Sequence, residues 1–428
     1  MTDPSASIVT SSRASLLPWA PARVGAPADA EPRSPELRCI LALGAALLSY
    51  GLPAHRIEES IMRLARAFGC KVSVFGLPTA AIIAAPELEP GMFVARAVPG
   101  AIDLSRLDAL HNLVARVEHK ELEPAQAEQQ VAAILNGRRR YPRWVDLPAV
   151  ALVAFGGALM LGTSARDASW SGVLGLFIGV LLWLSAAHVA LSRVAPVIGT
   201  VLVTLASCAL AHAAWVDHPL VITMGALLVL LPGLTLTLAM TELATGHLVS
   251  GGARTVAAAG VFLQLGFGVL LGMRLGRLDQ AELAVLEPAA LGPASSGALV
   301  LAIGFAALHV VRARDLGFTL LVSALAFFVC RVTGARLGAE IGVLIAATAV
   351  GLFGHAFARY RDRPSSTLTL PGVVMLVPGS LGLIAVSAAA LHDPSRALDV
   401  GFQMLMTMIA LSTGILISTA ALPPRTTL

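Results

Sequence analysis

After Asp146 the sequence runs through ten apolar segments, at 147–164, 169–191, 195–216, 219–240, 255–273, 294–311, 316–330, 337–358, 367–391 and 400–422. A spanning helix needs about 20 apolar residues, and most of these segments approach that length. The pattern is repeated: moving the first five starts 146 residues along brings each close to a start in the second five. The fourth segment of each set carries the same interruption, Leu230-Leu231-Pro232-Gly233 in one and Leu376-Val377-Pro378-Gly379 in the other. Proline removes a backbone donor and crowds the preceding turn, so each segment reads as a helix broken within the membrane. Paired Gly/Pro-interrupted spans at matching places in two halves point to a transporter's binding site.

Five is an odd number, so the second copy is expected to start from the opposite side of the bilayer. The predicted fold is a polytopic α-helical membrane protein, ten transmembrane helices as a 5+5 inverted repeat, preceded by a small α+β cytoplasmic domain. Composition agrees: 56% of residues are hydrophobic and 13% charged, against roughly 25% charged in soluble chains. With the N-terminus inside, twelve arginines flank the inner ends of the spans and six the outer ends, which places both termini in the cytoplasm of an inner-membrane protein. A net charge of +4 in such a chain reflects these flanks and gives no reason to expect nucleic acid. Four scattered cysteines without C-x-x-C spacing suggest neither a disulfide framework nor a metal site.

Residues 1–35 are rich in Pro, Ala and Ser and are expected to be a disordered tail. Residues 36–146 form the cytoplasmic domain in this reading, followed by membrane halves at 147–273 and 294–422 with an extracytoplasmic linker at 274–293 between them. Within the domain, Cys39–Tyr50 reads as a buried helix too short to span, ending at Gly51. An amphipathic helix opens at Pro53, with Ile57, Ile61, Leu64 and Phe68 on one face, and Gly69 closes it. Lys71–Phe75, Ala80–Ala85 and Met92–Val98 read as strands, and Leu104–Lys120 and Ala125–Leu135 as two further helices.

The run Leu43-Gly44, Ser49-Tyr50-Gly51, Arg56-Ile57-Glu58, then Pro78-Thr79 between two strands, resembles the start of the threonine/serine exporter family. The first Pro-Gly segment, followed by Glu242-Leu243-Ala244-Thr245-Gly246 and Gly251-Gly252-Ala253-Arg254, and the second, Leu376-Val377-Pro378-Gly379-Ser380, resemble that family's two halves. The resemblance covers roughly residues 36–420 and departs where Ala388 replaces an acidic partner to Glu242. It implies proton-driven export of small hydroxy amino acids. Some relatives are associated with dicarboxylates, so the substrate stays open between threonine, serine and a dicarboxylate.

A helix broken at Pro232-Gly233 presents a new N-terminus in the membrane, where free N–H groups and the positive dipole end hold a carboxylate. The candidate substrate-binding residues are therefore Pro232, Gly233, Thr235, Thr237, Pro378, Gly379 and Ser380. Gln264 joins them as the one amide in the early spans. The competing reading is that the Pro-Gly pairs are packing kinks and the hydroxyls bond their own backbone. Ala-Ala replacements are expected to restore continuous helix at small cost to the fold. For proton coupling the candidates are Glu340, the only carboxylate inside an assigned span, and Glu242 at the inner end of its own. Arg336, four residues before Glu340, is expected on the same helix face.

The partners implied are the lipid bilayer, protons and a small-molecule substrate, with a homo-oligomer as a minority reading of the spaced glycines at 268–276 and 334–342. No cofactor is expected. The sequence lacks H-E-x-x-H, G-x-S-x-G and a phosphate-binding G-x-x-x-x-G-K-[ST] loop, so it is not read as an enzyme. The alternative from another class is a membrane-anchored enzyme acting through residues 36–140.

Overall fold

The computed structural model describes residues 23–24, 32–186, 188–277, 291–361 and 363–423. Helix α1 (Pro35–Ser49) starts where Ser34 accepts a hydrogen bond from the Leu37 amide, with Pro35 at the first helical position, where its missing N–H costs nothing. Most of its residues are fully buried, and it is the central element of an α+β module. Gly51, at φ +70°, lets the chain turn into α2 (Ala54–Ala67). The sheet has the order β1-β4-β3-β2, from Arg23–Val24, Met92–Val98, Ala80–Ala84 and Ser73–Gly76, all antiparallel, with Ile82 opposite Val94 and Val74 opposite Ile83. Ala81, Ile83, Ala95 and Ala97 alternate onto the face that α1 covers. Helices α3 (Leu104–Glu118) and α4 (Pro124–Asn136) close the other side of α1 and α2.

The expected tail at 1–35 falls largely outside the described residues, but Arg23–Val24 pairs with β4 and Pro35 already belongs to α1. The expected linker, 274–293, also lies mostly outside them. At its edges α10 continues to Gly276, making it longer than its apolar segment, and α11 begins at Leu291, three residues before its segment and of the same length.

The membrane helices are α5 (Asp146–Met160), α6 (Ala165–Ser185), α7 (Val189–His212), the broken pair α8 (Pro219–Leu227) and α9 (Gly233–Ala244), and α10 (Leu248–Gly276). The second set is α11 (Leu291–Leu308), α12 (Leu316–Leu337), α13 (Ala339–Arg361), the pair α14 (Ser366–Val374) and α15 (Gly379–Ala390), and α16 (Pro394–Ala421). Among the described residues nine helices are long and apolar enough to cross a bilayer, and the bent α8–α9 pair makes ten. The segment at 316–330, the shortest in the sequence, is a full helix of 22 residues. Trp183, Leu202, Leu263, Phe267, Leu321, Phe328 and Phe402 stand exposed on the outside of the bundle, as lipid-facing side chains do.

Packing repeats along with the order of elements. Within the first set α6 packs on α8 and α7 on α10, and in the second α12 packs on α14 and α13 on α16. Between the sets, α9 packs on α16 and α10 on α15, while α5 lies along α11. The α5–α11 seam depends on glycine. A Cβ on Gly156 would lie 2.6 Å from the Gly297 carbonyl oxygen, and one on Gly297 would lie 2.7 Å from that of Gly156. The spaced glycines of α10 work in the same way inside the bundle: Gly268, Gly272 and Gly276 face Thr200, Thr204 and Cys208 of α7.

Candidate functional site

The two breaks have nearly the same backbone. Pro232 sits at φ −81°, ψ 34° and Pro378 at φ −83°, ψ 42°, each handing over to a 12-residue helix that begins at glycine. The first break bends its span by 56°, whereas the second interrupts a span that otherwise runs from Ser366 to Ala390. The breaks touch. A Cβ on Gly233 would meet the Val377 side chain and come within 3.2 Å of the Gly379 Cα, and one on Gly379 would come within 3.2 Å of the Leu231 Cβ. Alanine at 233 therefore needs the facing break to move, so the expected low cost of an Ala-Ala replacement does not hold there.

A cavity of about 640 Å³ ends at this junction. Gly233, Leu234 and Thr235 line it from one break, and Val377, Gly379 and Ser380 from the other. Its walls are α5, α10 and α11, and Pro78-Thr79 and Pro99–Ile102 of the α+β module line it as well. The first amides of α9 and α15 belong to the orphan donors of any helix start, so the lining combines two positive helix ends with a largely apolar wall. Thr235 and Ser380 make no side-chain hydrogen bond among the described residues, which leaves both hydroxyls available.

The other predicted residues lie elsewhere. Thr237 is fully buried and its hydroxyl donates to the Gly233 carbonyl at 3.1 Å, the backbone-bonded alternative. It lines a second, smaller cavity of about 140 Å³ between α2 and α14. Gln264 is exposed on the outer surface of α10, away from the cavity: a helix apolar on all sides gives no signal of which face turns inward. Glu340 is in the first turn of α13, just past Gly338, whose φ of +100° separates α12 from α13. It is the second residue of the candidate span Ala339–Arg361, close to that span's end, and Arg336 belongs to the preceding helix.

Glu242 has the most connected position of the predicted carboxylates. It is fully buried at the end of α9, and its Oε1 accepts the Ala54 amide at 2.8 Å. Helix α2 has no side-chain cap of its own, so a membrane helix supplies it. Glu242 Oε2 lies 3.2 Å from Arg254 Nε, and Arg254 Nη2 donates to the Leu52 carbonyl at 3.0 Å. Beside them His247, in the α9–α10 turn, contacts Glu58 at 3.2 Å, and Glu58 also accepts the Gly76 amide at 2.8 Å. The His55 ring lies 5.8 Å from that of His247, tilted by 51° to it. Burial, with Arg56, His247 and Arg254 nearby, pushes the His55 imidazole down to about 3, so it is neutral at ordinary pH.

The module meets the second set through different chemistry. Asp108 of α3 is buried and pairs with Arg312 and, at 3.1 Å, with Arg363, from the loops before α12 and α14. Arg312 also donates to the Ser105 carbonyl at 3.0 Å, and the Leu104 amide to the His309 carbonyl at 3.0 Å. Ala306 and Val311 complete the module's own apolar core. Neither Arg254, Asp108 nor the His247–Glu58 contact was predicted from sequence. The only trace of Arg254 was its place in the Gly-Gly-Ala-Arg motif.

A family profile described as a threonine/serine exporter matches residues 38–276. A second profile of the threonine/serine exporter type matches 295–421. An uncharacterised protein of Schizosaccharomyces pombe is 23% identical over 90% of this chain and 51% of its own length. Pheromone-regulated membrane protein 10 of Kluyveromyces lactis and that of Saccharomyces cerevisiae are each 25% identical over 90% of this chain, and 44% and 54% of theirs. The chain thus spans about half the length of the curated relatives it matches. No solved structure matches.

Proposed function

The chain belongs to the threonine/serine exporter family, and on that premise we propose that it exports threonine and serine across an inner membrane, driven by the proton gradient. It is a multi-pass membrane protein of a transporter family. The observation that carries the finer reading is the meeting of two matched helix breaks in the lining of one cavity, with Thr235 and Ser380 free to bond a cargo. A small hydroxy amino acid suits this lining: its carboxylate at a helix start and its hydroxyl toward Thr235 or Ser380.

Alternating access follows if the two halves are an inverted repeat. That reading is supported by the odd number of spans per half and by the reciprocal packing of α9 on α16 and α10 on α15. The arginine-rich flanks favour a cytoplasmic module and cytoplasmic termini. For coupling, Glu242 is the better placed carboxylate, because it is buried beside Arg254, which lines the cavity, whereas Glu340 is at the far end of its span. A four-carbon dicarboxylate is the second reading, since two facing helix starts can hold two carboxylates.

Counterflow in proteoliposomes tests this. Vesicles preloaded with unlabelled threonine should accumulate labelled threonine, with serine competing. Competition by succinate but not by serine would reassign the cargo, and no counterflow with any of the three would remove the proposal.

A further inference from the structure

Two cations line the cavity, and they differ in how far their donors are used. Arg139 is matched to Asp146 on both terminal nitrogens, at 2.5 and 2.9 Å. Arg254 is 8% exposed and its Nε, although 3.2 Å from Glu242, forms no aligned hydrogen bond. The facing Glu242 Oε2 likewise has none. A buried guanidinium with a spare donor, on the wall of a cavity that ends at two helix starts, is a carboxylate site in waiting, since Arg offers two parallel donors to a planar acid.

The same guanidinium holds the module. It neutralises the carboxylate that caps α2, and it bonds the Leu52 carbonyl just before that helix. We propose that Arg254 is a shared cation, exchanged between Glu242 and the carboxylate of a small amino acid in the cavity, so that cargo binding unlatches the α+β module from the first half. A cargo carboxylate replaces the acid of Glu242 in kind, and turning Arg254 toward it gives up the Leu52 bond. The Asp108 contacts with Arg312 and Arg363 do not touch the cavity, so the module stays attached to the second half. The lining at Pro78-Thr79 and Pro99–Ile102 then swings away with the module as a flap. The inference rests on the reading that the cavity holds the amino acid to be exported.

The test uses the full chain in detergent, with threonine as the probe and two measurements, binding calorimetry and hydrogen exchange. In the native sequence, threonine should speed exchange of the first α2 amides, Ala54 to Ile57, and leave the start of α3 unchanged. Glu242→Gln keeps the acceptor for Ala54 but no longer competes for the guanidinium, so threonine should bind at least about fivefold more tightly. That gain cannot come from misfolding. Arg254→Lys keeps the charge but not the paired donors, and should weaken binding by about tenfold and abolish the change in exchange. Threonine binding that neither variant alters would overturn the exchange and leave the transport reading standing. If threonine fails to bind the native chain, the reading of the cavity falls, and the proposal with it.

Discussion

The module meets the two membrane halves through fully buried acids that come from opposite sides. Toward the first half the membrane provides the acid, Glu242, and the module provides a bare helix start at Ala54. Toward the second half the module provides the acid, Asp108, and the membrane loops provide the cations, Arg312 and Arg363, over a shared apolar core at Ala306 and Val311. The helices repeat, but this chemistry does not: one repeat further on, Glu242 and Arg254 correspond to Ala388 and Val400. A repeat duplicates scaffold. A single module docked on both copies has to be recognised differently by each, and so the side chains at matching places diverge.

The largest effect should come from the first contact. Glu242→Ala leaves Arg254 charged and buried and α2 uncapped, which should cost about 3–5 kcal/mol. Thermal unfolding followed at the module, and faster proteolysis near Leu52, would register it. An unchanged melting curve would put the two contacts on an equal and trivial footing. Asp108→Asn should cost less, about 1.5–3 kcal/mol, because its arginines keep some solvent and the amide still accepts hydrogen bonds. Proteolysis should then move to the α3 side. If both variants open the module at the same place, the division into two seams is wrong.

Gly297→Ala addresses the halves themselves. Its methyl would press on the Gly156 carbonyl, and overpacking of this kind costs about 1–3 kcal/mol. Melting of the bundle should fall while exchange at α2 and α3 stays as it was.

The smallest effect concerns pH. His55 is held neutral where it lies, well below its ordinary value, so an undocked module takes up a proton that the docked one refuses. Docking should be unaffected above about pH 6.5 and should weaken steadily as pH falls toward 3. Exchange at the first α2 amides, measured between pH 7 and 5, reports this, and His55→Gln should flatten that slope at the first seam alone. A slope that survives in the Gln variant would assign it to other groups.

What could be read from sequence follows the range of the physics. The spans and both breaks were readable because hydrophobicity and proline act within a few residues. So were the turns at Gly51 and Gly69, which both have positive φ. Thr235 and Thr237 illustrate a limit: two residues apart on a helix they face nearly opposite ways, and only packing determines which one meets the cavity. Arg336 was placed on the helix of Glu340 because a hydropathy pattern does not register a one-residue turn at Gly338. The bonds that tie Glu242 to Ala54 and Arg363 to Asp108 join residues 188 and 255 positions apart. No local pattern in the sequence carries that information.

The cap on α2 also has a consequence for biosynthesis. Ala54 leaves the ribosome 188 residues before Glu242 does, which at about 5–20 residues per second is a delay of roughly 10–40 s. Throughout that interval four spans are being made while the first turn of α2 has nothing to close it. The module can gather most of its core early, but the start of α2 is closed only when the first membrane half has been built, and the start of α3 only once His309 follows. Any fault in inserting the first break would therefore surface as an unfinished module beside the membrane, exposed to proteases before the second half is even made.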